Sequence, residues 1–296
     1  MFESADTAIA DLVARVAALE ATAAGGAAPP VEMGATVLVG VHDQVYENVV
    51  FDGAGNGDPD VSAVLTVAGG CHNLTFRNCI INPNGDGIGN GIRVFDFYGD
   101  APHDIRFEDC TVMPQPRMGF EANGRVAGRG YQRIDLIDCT FEPQGSEAVS
   151  YDDDTGLGGF STVSGCLIKG AGAGTLYSWD QGLELNGVRD MTVTGNTIWA
   201  CKGTGLNFGG PAGACGWTFT GNLIDFTQGT IPSTVEGNPV YCRNVYGGIF
   251  ANNTIINGNA WAIAYLSNCH DMDWRTSVWQ GPNATPYQTG CSGVLL

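Results

Sequence analysis

A short pattern of alternating apolar and polar residues recurs seven times in this 296-residue chain, and it constrains the fold more than any other feature. The first copy covers residues 74–81, and successive copies lie 31, 29, 27, 30, 26 and 31 residues apart. The copies are in register at Cys79, Cys110, Cys139, Cys166, Asn196, Asn222 and Asn253. A repeat of this length predicts a chain of stacked structural units, each packed on its neighbours.

The residues around the register position predict a bent strand with one buried face. Three residues before it the side chain is always apolar, at Phe76, Phe107, Leu136, Val163, Val193, Phe219 and Phe250. Two residues after it the same holds, at Ile81, Val112, Phe141, Ile168, Ile198, Ile224 and Ile255. The residue directly before it is Asn, Asp or Gly, at Asn78, Asp109, Asp138, Gly165, Gly195, Gly221 and Asn252. These types enter the left-handed backbone region at low cost, so we expect a corner there in every copy.

A second strand follows in successive copies, and it fixes the fold class. It is indicated by Gly91-Ile-Arg-Val, Gly119-Phe-Glu-Ala, Ala148-Val-Ser-Tyr, Gly182-Leu-Glu-Leu and Gly205-Leu-Asn-Phe, where apolar and polar residues alternate. Coils of short strands and turns without a helical crossover predict an all-β, single-stranded parallel β-helix. A β-propeller is disfavoured because its blades need about 40 residues each.

The chain divides into four predicted segments. Residues 1–24 show a heptad pattern typical of an oligomerising or attachment coiled coil. A signal peptide is disfavoured there because acidic residues interrupt the apolar run. Residues 25–34 read as an Ala/Gly/Pro linker, residues 35–265 as the β-helix, and residues 266–296 as an aromatic-rich cap. The heptads leave dimer and trimer open.

Charge and cysteine content narrow the partners. The net charge is −18 and the only lysines are Lys169 and Lys202, so nucleic acid and membrane insertion are not expected. A neutral, cationic or metal-bridged partner is favoured.

Four of the ten cysteines share one repeat position, which predicts buried free thiols giving way to an asparagine ladder. The histidines at 42, 72, 103 and 270 are scattered along the chain, so the sequence predicts no zinc site.

Polar residues of the second strand form the candidate site. The outward positions are Arg93, Glu121, Asn123, Ser150, Asp152, Glu184, Asn186 and Asn207. Of these, Glu121, Asp152 and Glu184 are the predicted catalytic residues. Glu121 and Glu184 would lie about 9 to 10 Å apart, two coils away from each other. This approaches the carboxylate spacing of inverting glycosidases, with Asp152 as the base or as a group that raises a neighbour's pKa.

The remaining predicted substrate contacts are Arg93, Asn123, Asn186, Asn207, Arg117, Tyr177 and Trp179. Aromatic rings stack on sugars, and arginines bind acidic ones. The competing interpretation is a solvated outer face with carboxylates aligned by chance. Ca²⁺ binding by Asp152-Asp153-Asp154 is a further alternative to a site without cofactor, although such sites need about six oxygen ligands.

The phrases Asn73-Leu-Thr-Phe-Arg-Asn-Cys-Ile-Ile, Met191-Thr-Val-Thr-Gly-Asn-Thr-Ile and Trp217-Thr-Phe-Thr-Gly-Asn-Leu-Ile resemble the right-handed parallel β-helix of pectate lyases and bacteriophage tailspikes. The resemblance covers residues 35–260, approximately, and implies fold more than function. The N-terminal heptads and linker are more similar to a phage tailspike or tail fibre. That similarity implies a homotrimer whose N-terminal helix contacts other virion proteins and whose β-helix faces the host glycan.

The sequence therefore predicts a virion-associated receptor-binding protein, made in the host cytoplasm, that recognises host surface polysaccharide and cleaves it with the outward carboxylates. A glycoside hydrolase is favoured over a lyase. Two alternatives stay open: a non-catalytic structural or decorating virion protein, and a secreted polysaccharide lyase.

Overall fold

The computed structural model describes residues 30–53, 63–83, 89–97, 99–115, 117–142, 145–169, 181–199, 203–209, 215–227, 238–258 and 262–296. The residues from 32 onward form one compact unit. The described ranges contain 29 strands, numbered in chain order, and no α-helix. None of their elements is a helix with the length and hydrophobicity to cross a lipid bilayer. The predicted coiled coil at 1–24 lies outside the described residues.

The strands form three parallel sheets, and each complete coil contributes one strand to each sheet, so that sheets A and B have ten strands and sheet C has nine. Sheet A contains β1 (Val31–Met33), β4 (Val49–Asp52), β7 (Ile80–Asn82), β10 (Thr111–Val112), β13 (Thr140–Phe141), β16 (Leu167–Lys169), β19 (Thr197–Trp199), β22 (Leu223–Asp225), β25 (Thr254–Ile256) and β28 (Val278–Gln280).

Sheet B contains β2 (Thr36–Val39), β5 (Ala63–Ala68), β8 (Asn90–Phe95), β11 (Phe120–Gly124), β14 (Val149–Asp153), β17 (Leu183–Asn186), β20 (Leu206–Gly209), β23 (Val240–Arg243), β26 (Ala264–Ser267) and β29 (Tyr287–Thr289). Sheet C contains β3 (His42–Glu47), β6 (His72–Arg77), β9 (His103–Glu108), β12 (Gln132–Ile137), β15 (Thr162–Ser164), β18 (Thr192–Thr194), β21 (Thr218–Thr220), β24 (Tyr246–Ile249) and β27 (His270–Asp273). The predicted parallel β-helix is confirmed.

The predicted corner lies between sheets C and A in every copy. All seven residues before the register position have positive φ, between 50° and 66°. All fourteen flanking apolar residues are buried in the core. Each large side chain removed from water in this way contributes roughly 1.5 to 3 kcal/mol to folding. The repeat pattern therefore determined both the corner and the interior.

The residues at the register position form two buried columns, one of cysteines and one of asparagines. Cys79, Cys110, Cys139 and Cys166 are buried free thiols, as predicted. In later coils Asn196 donates from Nδ2 to Asn222 Oδ1 at 2.9 Å. Asn222 in turn donates to Asn253 Oδ1 at 3.0 Å. The asparagine ladder is therefore confirmed, and it satisfies polar groups that burial would otherwise penalise.

The ordered sheets extend beyond the region in which the repeat is visible in the sequence. Strand β1 lies within the segment predicted as a linker, and β27, β28 and β29 lie within the segment predicted as a cap. In that last coil Trp274 is fully buried and stacks on Phe250, with ring centroids 4.4 Å apart. Trp274 thus fills the interior of one more coil.

Candidate functional site

The outer face of sheet B carries two files of polar side chains, one residue from each coil. The first file contains Arg93, Glu121, Ser150, Glu184 and Asn207, which are register partners across β8, β11, β14, β17 and β20. The second contains Asn123, Asp152 and Asn186. The parallel register places the members of each file about 4.8 Å apart. The alignment predicted from the alternation of these strands is therefore confirmed.

The part of the first file nearest the N-terminus is buried rather than solvated. Arg93 and Glu121 are 4% and 3% exposed and form an ion pair, with Arg93 Nε 3.0 Å from Glu121 Oε2. Asn90 Nδ2 donates to Glu121 Oε2 at 2.5 Å, and Asn123 Nδ2 donates to Oε1 at 2.9 Å. The Arg93 guanidinium also lies over the Phe95 ring, 5.2 Å from its centroid. Both oxygens of Glu121 thus have buried partners.

The next two coils present half-buried carboxylates. Glu184 accepts hydrogen bonds from Ser150 Oγ at 3.0 Å and from Asn207 Nδ2 at 3.1 Å. Asp152 accepts one from Asn186 Nδ2 at 2.9 Å. Glu184, Asp152, Asn186 and Asn207 all retain partial exposure. Of the three predicted catalytic carboxylates, Asp152 and Glu184 are therefore the more accessible.

Burial raises the pKa values of Glu184 and Asp152 by different amounts. It raises the pKa of Glu184 to about 8, and the charges of Glu147 and Asp152 add to the effect. It also raises the pKa of Asp152 to about 6, with Asp154 contributing. At neutral pH Glu184 is therefore mostly protonated and Asp152 mostly ionised. One group can donate a proton while its neighbour accepts one.

The spacing of the two groups follows from the strand register. Ser150 is the register partner of Glu184, and Asp152 lies two residues further along β14. One strand spacing and two residue rises together give a separation of about 8 Å between these positions. Inverting glycosidases hold their two carboxyl groups roughly 6.5 to 9.5 Å apart, with a water molecule between them. The geometry is compatible with acid–base hydrolysis.

Glu147 is a neighbouring carboxyl group that the sequence did not indicate. It is 7% exposed, accepts a hydrogen bond from Ser146 Oγ, and burial raises its pKa. It lies in the turn between sheets A and B, outside the strand alternation. No local pattern could have identified it, because its position depends on how that turn folds back.

Three tyrosines continue the first file and were also missed. Asn207, Tyr241, Tyr265 and Tyr287 are successive register partners. The three rings stack at centroid distances of 5.4 Å for both pairs. Stacked rings present their edges and hydroxyl groups outward. The signal was present as strand alternation around Tyr241 and Tyr265, but the repeat spacing had already become irregular there.

The other predicted contacts are distributed unevenly. Arg117 is half-buried in the turn before β11, and its carbonyl accepts a hydrogen bond from Ser146 N at 2.9 Å. Its positive charge partly offsets the burial effect on Glu147. Tyr177 and Trp179 lie outside the described residues.

The three consecutive aspartates considered for calcium do not converge. Asp153 is fully buried, and its Oδ1 accepts hydrogen bonds from Thr155 N at 2.9 Å and Thr155 Oγ1 at 2.6 Å. Its other oxygen accepts one from Gly158 N. Asp152 points to the file on sheet B, and Asp154 is exposed. Of the three, Asp153 therefore shapes a turn in this structure.

Three parallel sheets wound from successive coils, with a polar file on the outer face of one of them, define a protein of the parallel β-helix class. No protein-family model matches the sequence, and no curated protein is similar to it in sequence. Solved structures do resemble the fold, as the resemblance to tailspikes and other β-helices had implied.

The chain is similar to a double mutant of the periplasmic alginate epimerase AlgG, with 9% identity and a TM-score of 0.57 over 89% of this chain. It spans 61% of that epimerase chain. The A-module of the Azotobacter vinelandii mannuronan C-5 epimerase AlgE4 gives 13% identity, a TM-score of 0.41, and coverage of 82% and 64% of the two chains. The enzymatically active domain of tailspike protein 2 of bacteriophage CBA120 gives 9% identity and a TM-score of 0.43, with coverage of 88% of this chain and 38% of the tailspike chain. Identities this low concern the fold alone.

Proposed function

We propose that this protein is a virion-associated receptor-binding protein that recognises a host surface polysaccharide along the outer face of sheet B and hydrolyses it there. One observation carries the catalytic part. Asp152 and Glu184 lie on adjacent strands with pKa values raised to about 6 and about 8, which separates a base from an acid.

In the proposed reaction Glu184 protonates the oxygen of the scissile glycosidic bond. Asp152 removes a proton from a water molecule that attacks the anomeric carbon from the opposite side. The bond to the leaving sugar breaks, and the configuration at the anomeric carbon inverts. Ser150 and Asn207 orient the Glu184 carboxyl group, and Asn186 orients Asp152.

Glu121 has a positioning role in this proposal. Its ion pair with Arg93 and its hydrogen bonds from Asn90 and Asn123 occupy both oxygens beneath the surface. A buried ion pair that loses one partner leaves an uncompensated charge. Arg93, Glu121 and Asn123 would therefore hold β8 and β11 in place beside the reacting pair.

The continuation of the file supports binding of an extended, neutral glycan. Beyond Glu184 and Asn207 the next three register positions are Tyr241, Tyr265 and Tyr287, which offer ring edges and hydroxyl groups. Such groups contact both the apolar and the hydroxyl surfaces of sugars. With a net charge of −18, the protein would repel a polyanionic glycan unless a cation bridged the two.

The assembly belongs to the same proposal. We propose that the heptads in residues 1–24 form a coiled coil that trimerises the chain and contacts other virion proteins, and that the β-helix is right-handed. Location in the virion follows from that arrangement. The support is the heptad spacing itself, together with a β-helix fold that solved phage tailspikes share.

Polysaccharide cleavage tests the proposal directly. Full-length protein is incubated with capsule and lipopolysaccharide from candidate hosts, while reducing ends and the ultraviolet absorbance of unsaturated uronate are followed. Wild type is expected to release reducing ends without an increase in ultraviolet absorbance. Glu184→Gln is expected to release no reducing ends. Glu47→Gln, on the exposed face of sheet C, is the matched control and should retain activity. Absorbance together with reducing ends would instead identify a lyase.

A non-catalytic role is favoured by one specific observation: the buried, fully compensated contacts of Glu121, which resemble structural reinforcement more than a reaction centre. In that case wild type would bind a host glycan without releasing reducing ends, or would bind none and act as a structural virion component. Binding measured by calorimetry on the same glycans separates these outcomes.

A further inference from the structure

Three of the four histidines form a stacked file on sheet C, although they are about 30 residues apart in sequence. His42, His72 and His103 are register partners across β3, β6 and β9. The ring centroids of His42 and His72 are 4.9 Å apart, and those of His72 and His103 are 5.2 Å apart. The prediction of no zinc site rested on their separation in sequence, and the coil period removes that separation.

The contacts of these rings indicate which nitrogen of each could bind a metal ion. His42 Nδ1 lies 2.9 Å from Asp43 Oδ2, and His72 Nδ1 lies 3.1 Å from the Gly70 carbonyl oxygen. The Gly70 carbonyl oxygen only accepts, so His72 Nδ1 carries the hydrogen and His72 Nε2 is the nitrogen with the lone pair. His42 Nδ1 and Asp43 Oδ2 are close enough to be ligands of one ion, which would replace the hydrogen between them. Metal-binding histidines are typically held as His72 is, by a backbone carbonyl or carboxylate on the other nitrogen.

A carboxylate completes the group. Ligand atoms of His42, Asp43 and His72 lie within 4.8 Å of one another, the one such cluster among the described residues. Asn73 Nδ2 donates to Asp43 Oδ1 at 2.5 Å. This bond orients the Asp43 carboxylate. The left-handed backbone of Asp43, with φ 56°, places it beside the rings.

We propose that His42, Asp43 and His72 bind a zinc-class divalent transition-metal ion. Two imidazoles and one carboxylate are ligands that Zn²⁺ accepts, with water in the fourth position, whereas Ca²⁺ and Mg²⁺ require mostly oxygen ligands. Bonds of about 2.0 to 2.1 Å need ligand atoms closer than the present ring stacking, so the rings must tilt. The His42 side chain is 57% exposed and has room to do so.

The location gives the ion a structural consequence. Strand β3 is the terminal strand of sheet C, and β6 is its neighbour. An ion held by His42 and Asp43 on β3 and by His72 on β6 would cross-link that edge strand to the sheet. Edge strands are the places where a sheet frays or pairs with another chain. The ion would therefore stabilise the first coils, independently of any activity on sheet B.

Calorimetric titration of full-length protein with ZnCl₂, together with thermal unfolding, tests this site. One Zn²⁺ per chain and a higher unfolding temperature are expected for wild type. His42→Asn and His72→Asn should each weaken binding by about tenfold or more. His42 is exposed, so its variant keeps the test valid if His72→Asn fails to fold. MgCl₂ should neither bind at this site nor compete.

His270→Asn and Cys291→Ser are the matched controls. His270 lies on the same sheet, but it stacks on Tyr246 and contacts Ser292. Cys291 directly precedes Ser292 in the sequence. Both variants should bind Zn²⁺ as wild type does. The proposal is overturned if wild type binds no Zn²⁺, if the His42 and His72 variants bind it unchanged, or if the two control variants abolish binding instead.

Discussion

Ser150 Oγ donates a hydrogen bond to Glu184 Oε2 at 3.0 Å, and the two residues are register partners in adjacent coils. The same register places Asp152 diagonally opposite Glu184. Two carboxyl groups with different protonation states thus share one surface, each held by a side chain from a neighbouring coil.

Removal of the proposed acid should abolish turnover without loss of fold. Glu184→Gln keeps the size and hydrogen-bonding capacity of the side chain but cannot release a proton. We expect turnover to fall by about 10² to 10⁴-fold, which is the usual contribution of a general acid. The measurement is release of reducing ends from a cleaved host polysaccharide, with circular dichroism to verify the fold. Unchanged turnover in this variant would exclude Glu184 as the acid.

The pH dependence should report both members of the pair. Activity requires ionised Asp152 and protonated Glu184, so kcat/KM should rise near pH 6 and fall near pH 8. These limbs belong to the coupled pair rather than to single residues. Asp152→Asn should remove the rising limb from the residual activity. A profile that stays flat between pH 5 and pH 9, about the range these two groups govern, would contradict the assignment.

Stability should depend on pH at Glu184 in a defined direction. Its pKa is raised from an ordinary 4.5 to about 8, so the folded state binds this proton more tightly than the unfolded state does. The free energy of unfolding therefore falls as pH rises through that window. Glu184→Gln mimics the protonated form. Its free energy of unfolding should equal that of wild type near pH 4 to 5 and exceed it near pH 9, which is about one pH unit above the raised pKa. Urea unfolding at both pH values measures the difference, and a larger advantage of the variant at the acidic end would refute it.

The corner residues should differ in their tolerance of a side chain. Gly165 and Gly195 both have φ of 66°. A Cβ added to Gly165 would clash with Asp138 Oδ1, whereas a Cβ added to Gly195 would have no other atom within 4 Å. Gly195→Ala should cost about 1 to 2 kcal/mol, the price of the left-handed backbone alone. Gly165→Ala should cost more, because the clash is added, and equal losses in denaturant unfolding would show that Asp138 moves aside.

The asparagine ladder should be more sensitive than the cysteine file. Asn222 Oδ1 accepts hydrogen bonds from Asn196 N and Nδ2, both at 2.9 Å. Asn222→Ala removes the acceptor of the buried Asn196 N–H, while Asn196 Nδ2 keeps only its bond to the Val163 carbonyl oxygen, and should cost about 2 to 4 kcal/mol. Cys139→Ala, at the same repeat position, loses only weak thiol contacts at 3.3 and 3.5 Å and should cost clearly less. A reversed order in chemical unfolding would show that the ladder is dispensable.

Much of the fold was predictable because the determining interactions are local and repeated. The residue types at Asn78 and Gly165 predict the corner, and the apolar positions at Phe76 and Ile81 predict the interior. Alternation in the second strand also predicted that Glu121, Asp152 and Glu184 would point to one face. Alternation aligned Glu121 with Arg93 but could not predict that both are buried. Nor could it predict that Glu147 lies nearby, since that position depends on a turn outside the alternation.

A second corner in each coil shows where local sequence stops being informative. Five residues before the predicted corner the backbone is again left-handed, at Asn73 and Asp104 but also at Arg133 and Phe160, types that seldom adopt it. Phe160 N donates to Arg189 O at 3.0 Å, and Arg133 N donates to Gly159 O at 3.0 Å. The ladder of neighbouring coils imposes the conformation there.

The sequence by itself thus determined the coil period, the core and the outward alternation, because each depends on residues a few positions apart. Only the tertiary structure decided which outward side chains are buried, as Arg93 and Glu121 are, and which residues meet across coils outside that alternation, as His42 and His72 do. Those meetings depend on the exact number of residues in each turn, since one residue more or fewer moves a side chain to the opposite face of the sheet.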